Sequence, residues 1–117
     1  MIRLIGRLQR KLFREMLPGD INYTELLQKQ KQGAIIIDVR SEQEYKEGHI
    51  KGANLIPLYE LNSRITKEIP DKNKEIVIYC KSGTRSRKAY DILKNLGYKK
   101  IYNLYLGIDN INYWDFK

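Results

Sequence analysis

One cysteine, Cys80, stands between a run of β-formers and a basic, glycine-containing hexapeptide, an arrangement suited to nucleophilic chemistry. The run is Ile76-Val77-Ile78-Tyr79, and Lys81-Ser82-Gly83-Thr84-Arg85-Ser86 follows the cysteine. A nucleophile at a strand end, ahead of a tight loop that feeds a helix, has several backbone N–H groups aimed at one point. Those donors, with the positive end of the helix, bind anions and favour thiolate over thiol. Lys81 and Arg85 add full positive charges nearby. The expected thiol is acidic, exposed and reactive. A buried structural cysteine is the plain alternative, and the basic turn after Cys80 speaks against it.

Three stretches together carry a family resemblance. Cys80-Lys81-Ser82-Gly83-Thr84-Arg85 resembles the active-site loop of the rhodanese-like sulfurtransferases, whose cysteine carries a persulfide. Ile37-Asp38-Val39-Arg40, then Glu44-Tyr45, then Gly48-His49-Ile50-Lys51-Gly52-Ala53 is similar to that family's first signature. The stretch after Cys80, ending at Leu96-Gly97-Tyr98, is similar to its second. They span about residues 20–112 in the family's order and spacing.

The resemblance implies a rhodanese-like α/β fold, with a central, mostly parallel five-stranded sheet flanked by helices on both faces. It implies an enzyme that moves sulfane sulfur from thiosulfate or a persulfide donor to a thiophilic acceptor through a Cys80 persulfide. Lys81, Ser82, Gly83, Thr84, Arg85 and Ser86 would then form the loop that receives the anionic donor. Arg85 is the best placed to hold the donor or brace the loop. Lys81 is a second cation, where the family commonly has arginine. Ser86 reads as the cap of the following helix. Asp38 and Arg40 would organise the site rim, and Glu44 could pair with Arg40. His49 stays outside the catalytic set, its ring expected to bond backbone. One departure concerns the C-terminal turn. Leu106 replaces the first glycine of the family's Gly-Gly, and Ile111 stands where tryptophan is usual, with Trp114 three residues on.

Loop length separates sulfur transfer from phosphate chemistry. Related phosphatases use Cys-x5-Arg, a wider ring of N–H groups around a tetrahedral oxyanion. Here four residues separate Cys80 from Arg85, and Arg87 is also out of that register. A phosphatase-like activity therefore ranks behind sulfur transfer. A sulfur-relay or docking module with little turnover on free donors is the alternative from another class.

With no second cysteine, a persulfide on Cys80 cannot be resolved within the chain. Its sulfur must leave to a small thiol, to cyanide or to another protein's cysteine. The sole histidine, His49, leaves no Cys/His metal site, and no cofactor is expected. A free thiol needed for turnover fits a reducing compartment, the cytoplasm by default.

The 117 residues suffice for one core. The net charge of +8 is unevenly placed, because residues 1–17 carry five basic residues and one acidic, half of the total. Arg3, Arg7, Arg10 and Arg14 fall on one helical face, beside Leu8, Leu12 and Met16, and Pro18-Gly19 ends the pattern. Residues 1–18 thus read as a basic amphipathic helix and residues 19–117 as the rhodanese-like domain. The helix would either pack on the domain or bind an anionic membrane surface or partner, giving a peripheral position. No nucleic-acid reading motif accompanies the charge.

The elements that must position Cys80 alternate strand and helix. A brief edge strand at Ile21 leads to a capping box at Asn22 and Glu25 and a helix through residue 30. The apolar run 34–39 is a buried strand, Ser41 caps a helix through residue 46, and residues 54–56 form a short strand stopped by Pro57. A helix over 58–69, a strand over 76–79, a helix over 85–96 and a strand over 100–104 complete the domain.

Overall fold

The computed structural model describes residues 16–111. The sheet order is β1-β5-β4-β2-β3, formed by β1 (Asp20–Ile21), β2 (Ile35–Asp38), β3 (Asn54–Leu55), β4 (Glu75–Tyr79) and β5 (Lys100–Leu104). All four described pairings are parallel. Helices α1 (Tyr23–Lys31), α2 (Glu42–Glu47), α3 (Leu58–Glu68) and α4 (Thr84–Asn95) fall between strands, and a single 3-10 turn follows β5 at Ile108–Asn110.

Strand alternation divides the core. Ile76, Ile78 and Cys80 point to the face covered by Leu61 and Ile65 of α3 and by Ala89 and Leu93 of α4. Val77 and Tyr79 point to the other face, against Leu26 of α1. Because side chains alternate along a strand, β4 buried on both faces must be apolar throughout. That is why residues 76–79 form an unbroken hydrophobic run.

Local signals set the helix starts. Both N-terminal capping boxes form: Asn22 with Glu25 before α1, and Ser41 with Glu44 before α2. The expected boundaries hold to within a residue or two. The arm assigned to residues 1–18 lies outside the described residues except for its last three, and Trp114 lies outside them too. No described helix is long and apolar enough to cross a membrane.

Candidate active site

Cys80 leaves the C-terminal end of β4, the edge where parallel sheets gather their ligands. Gly83 makes the turn possible: its φ of 102° lies in the left-handed region, which costs a side chain energy but not glycine. The chain thereby folds back over the sulfur, and α4 starts one residue later. The Gly83 N–H donates to Cys80 Sγ at 3.1 Å and the Ser86 N–H donates at 3.3 Å. Amides aimed this way stabilise negative charge on sulfur.

Three expectations for this loop are corrected. First, Cys80 is buried, not exposed, at 1% accessibility, because the loop that supplies the donors also covers the sulfur. Second, Ser86 does not cap α4. Gly83 holds that position, and Ser86 sits in the first turn, fully buried. Its hydroxyl donates to the Gly83 carbonyl at 3.2 Å and accepts from the Cys80 thiol at 3.4 Å. Third, the two loop cations are not free charges. Lys81 Nζ pairs with Asp109 at 3.0 Å, and Arg85 pairs with Glu44.

The Glu44 partnership also replaces the one expected with Arg40. Arg85 Nη1 and Nη2 donate to Glu44 Oε1 and Oε2 at 2.6 and 2.9 Å. This geometry needs both planar groups edge to edge. The bond from Arg85, against a modest burial cost, holds the Glu44 carboxyl at about 2, and the Ser41 donors add to it. The Glu44 bond likewise raises the Arg85 guanidinium.

Arg40 is occupied elsewhere. Its Nε donates to Asp38 Oδ1 at 3.0 Å and its Nη2 to Asp38 Oδ2 at 2.7 Å and the Gly48 carbonyl at 2.6 Å. Both residues are buried, as a fixed pair at the end of β2. Burial opposes the charge on Arg40, but its bonds to Asp38 outweigh it and raise the guanidinium. The Tyr79 phenol, pushed up by burial and by the Asp38 charge, accepts from the Ile50 N–H at 3.1 Å. Asp38, Arg40 and Tyr79 thus pin the 48–50 turn to the sheet. His49 Nδ1 lies 2.8 Å from the Tyr45 carbonyl, and its ring stacks on Tyr45 at 3.6 Å, which accounts for the ring without catalysis. Thr84 and Ser82 lie on the outer, exposed side of the loop.

A bracket from the far side of the sheet was not read from the sequence. The Ile108 and Asp109 N–H groups donate to the carbonyls of Cys80 and Lys81, both at 3.0 Å. Gly107 lies directly against these carbonyls, so close that a Cβ there would meet the Cys80 oxygen at 2.5 Å and the Lys81 oxygen at 2.4 Å. Leu106 before it adopts φ 62°, the single described non-glycine residue in the left-handed region. The available signal was Leu106-Gly107 itself: a glycine pair is usual there because both positions are conformationally demanding.

Beside the loop lies a cavity of about 340 Å³ lined by Val39, Arg40, Ser41, Pro57, Leu58, Tyr59 and Arg85. These residues come from the segment that follows β2, from Pro57 and the first turn of α3, and from the first turn of α4, where the Cys80 loop ends. Among the expected site residues, the structure brings Cys80, Gly83 and Ser86 together at the sulfur. Asp38 and Arg40 sit behind the rim, and Lys81 and Arg85 are drawn outward to acidic partners.

Comparison with known proteins agrees with this geometry. The Rhodanese-like domain family model matches residues 22–113. Thiosulfate sulfurtransferase PspE of Escherichia coli K12 is 42% identical over 67 residues, 57% of this chain and 64% of that protein. The putative sulfur carrier protein YrkF of Bacillus subtilis is 41% identical over 73 residues, 62% of this chain and 38% of that protein. The match thus spans less than two thirds of either relative. A solved rhodanese with anions from E. coli superposes with a TM-score of 0.62 at 37% identity, covering 68% of this chain and 92% of the other.

Proposed function

The chain belongs to the rhodanese-like domain family, and from that premise we propose that it is a sulfurtransferase that cycles Cys80 between thiolate and persulfide. The observation that carries this reading is the pair of amides, from Gly83 and Ser86, that converge on one sulfur atom. In the first step the Cys80 thiolate attacks the outer sulfur of thiosulfate. A Cys–S bond to that sulfur forms, the bond within thiosulfate breaks, and its electron pair leaves on sulfite. The cysteine now bears one extra sulfur, and the charge is conserved. In the second step an external acceptor takes that sulfur, and Cys80 leaves as a thiolate held by the two amides. PspE, a relative named thiosulfate sulfurtransferase, supports the choice of thiosulfate as donor; a persulfide donor would enter by the same attack.

The acceptor must come from outside, since the chain has no other cysteine. Cyanide, a small thiol or a protein cysteine meets that need. A relay role, passing sulfur between proteins with little turnover on free donors, is supported by YrkF, a relative named putative sulfur carrier protein. The same reading takes residues 1–18 as a basic arm on the domain 19–117. Its arginine face suits an anionic membrane surface. Deleting residues 1–17 separates the two placements: salt-sensitive flotation with anionic vesicles that is lost on deletion marks a membrane-binding arm, whereas a lower melting temperature on deletion, with no vesicle binding by the full chain, marks an arm packed on the domain.

Intact-mass spectrometry after exposure to thiosulfate tests the core of the proposal. One added sulfur is expected on the wild-type chain and none on Cys80→Ser. An unmodified wild-type chain that also fails to transfer sulfur to cyanide overturns it.

A further inference from the structure

We propose that the cavity between residues 39–41 and 57–59 is the acceptor subsite, and that it selects small uncharged thiols with an apolar body. The inference rests on the sulfur-transfer reading of Cys80 and adds the class of acceptor.

Position is the first argument. Arg85, which ends the Cys80 loop, forms one wall. Val39, also in the lining, bonds through its N–H to the Tyr79 carbonyl at 3.0 Å, one residue before Cys80, and packs in the same core cluster as Cys80. A molecule in the cavity is therefore alongside the loop.

Chemistry is the second. Both lining guanidinium groups and the Ser41 hydroxyl already have partners. Arg40 is held by Asp38 and the Gly48 carbonyl. The Ser41 hydroxyl donates to Glu44 at 3.0 Å, and Arg85 is held by Glu44. The two guanidinium charges are thus each matched by a carboxylate. What remains for a guest is the apolar surface of Val39, Pro57, Leu58 and Tyr59. A thiol carrying carboxylates would have to give up hydration with no free cation to replace it.

Size is the third. About 340 Å³ is at the lower end of small-molecule clefts. It suits one compact organic group rather than a folded partner's side. With such a thiol seated, its thiolate sulfur forms a bond to the outer sulfur of the Cys80 persulfide. The inner S–S bond breaks, its electron pair returns to Cys80 Sγ, and the product departs as a hydropersulfide whose outer sulfur carries the proton the thiol gave up.

The test compares benzyl mercaptan with 2-mercaptoethanol, two uncharged thiols of similar acidity that differ in apolar body. The kcat/KM ratio of benzyl mercaptan to 2-mercaptoethanol is expected to be about 10 or more, the scale on which apolar pockets discriminate. Tyr59 is 81% exposed at the cavity rim, so Tyr59→Asp is compatible with folding. That variant is expected to bring the ratio close to 1, through KM rather than kcat. A wild-type ratio near 1, or a ratio unmoved by Tyr59→Asp, overturns the assignment. Cyanide turnover by the wild type separates this from failure of the sulfur-transfer reading. If cyanide is not a substrate, benzyl alcohol reads the cavity alone. Amide shifts at Val39, Arg40, Ser41, Leu58 and Tyr59 then support the subsite, and their absence removes it.

Discussion

Arg85 grips Glu44 with two parallel hydrogen bonds of 2.6 and 2.9 Å, joining the end of the Cys80 loop to the first turn of α2 across 41 residues of sequence. The pairing changes what Arg85 can do. A cation saturated by a carboxylate gives little attraction to a second anion, but a planar fork fixed at both prongs holds the backbone that bears it. Arg85 therefore fixes the loop's shape, and negative charge at the sulfur is met by the Gly83 and Ser86 amides.

This pairing sets an acid-side dependence. Glu44 titrates at about 2, below the ordinary 4.5. A carboxyl depressed on folding stabilises the fold above its unfolded pKa, and that contribution is lost as pH falls toward the folded value. Between pH 4.5 and 2 the stability gap between wild type and Glu44→Gln should close. At pH 7 the gap is expected to be about 0.5–1 kcal/mol, small because the Arg85 side chain is 37% exposed and solvent screens the pair. Urea denaturation of both proteins at stepped pH measures it. A gap that widens on acidification would contradict the assignment.

Ser86 offers a cleaner view of the sulfur. Its hydroxyl lies 3.4 Å from Cys80 Sγ, while its amide, at 3.3 Å, is independent of side chain. Ser86→Ala removes the hydroxyl and keeps the amide. The expected loss in thiosulfate kcat/KM is about tenfold: the hydroxyl accepts from the thiol, and once that proton leaves it can turn its O–H from the Gly83 carbonyl to the thiolate, a hydrogen bond worth about 1–1.5 kcal/mol. A threefold or smaller loss would leave the amides as the whole of the sulfur's support.

Much of this fold was legible because its signals are local. The apolar run 76–79 gives β4, Asn22 and Glu25 give a capping box, and the residues around Cys80 give the loop. The pairings were not legible, because they depend on which ends of the sheet meet. Glu44 lies four residues from Arg40, a natural partner along one helix, but Arg40 precedes α2 and is already held by Asp38. Burial of Cys80 was hidden for a similar reason. Donors that converge on an atom also enclose it, and the Gly107–Asp109 segment that brackets the Cys80 and Lys81 carbonyls comes from beyond β5.

Leu106 tests the conformational reading of that segment. With φ 62° it occupies a region costing a non-glycine residue about 1–2 kcal/mol, with asparagine tolerated best and β-branched residues least. Leu106→Asn should therefore be more stable than Leu106→Ile, although isoleucine matches leucine in volume. Thermal unfolding of the two variants ranks them. Equal stability, or isoleucine ahead, would mean that packing of this half-buried side chain outweighs its backbone.

Gly107 carries the strongest expectation, because two effects act together there. A methyl group would stand 2.4–2.5 Å from the Cys80 and Lys81 carbonyl oxygens, and φ 66° already disfavours a side chain. Neither carbonyl can swing away freely, since each accepts a hydrogen bond from Ile108 or Asp109. Gly107→Ala must therefore push the 3-10 turn off the loop or move Cys80 itself. The expected destabilisation is about 2–3 kcal/mol, the sum of backbone strain and a broken bracket. Sulfur transfer should fall by more than the unfolded fraction explains, because displacing Cys80 misaligns Sγ with the Gly83 and Ser86 amides. Equilibrium unfolding together with transfer rates measured well below the melting temperature separates the two. A variant that loses stability but keeps its rate per folded molecule would show that the bracket holds the fold and not the nucleophile.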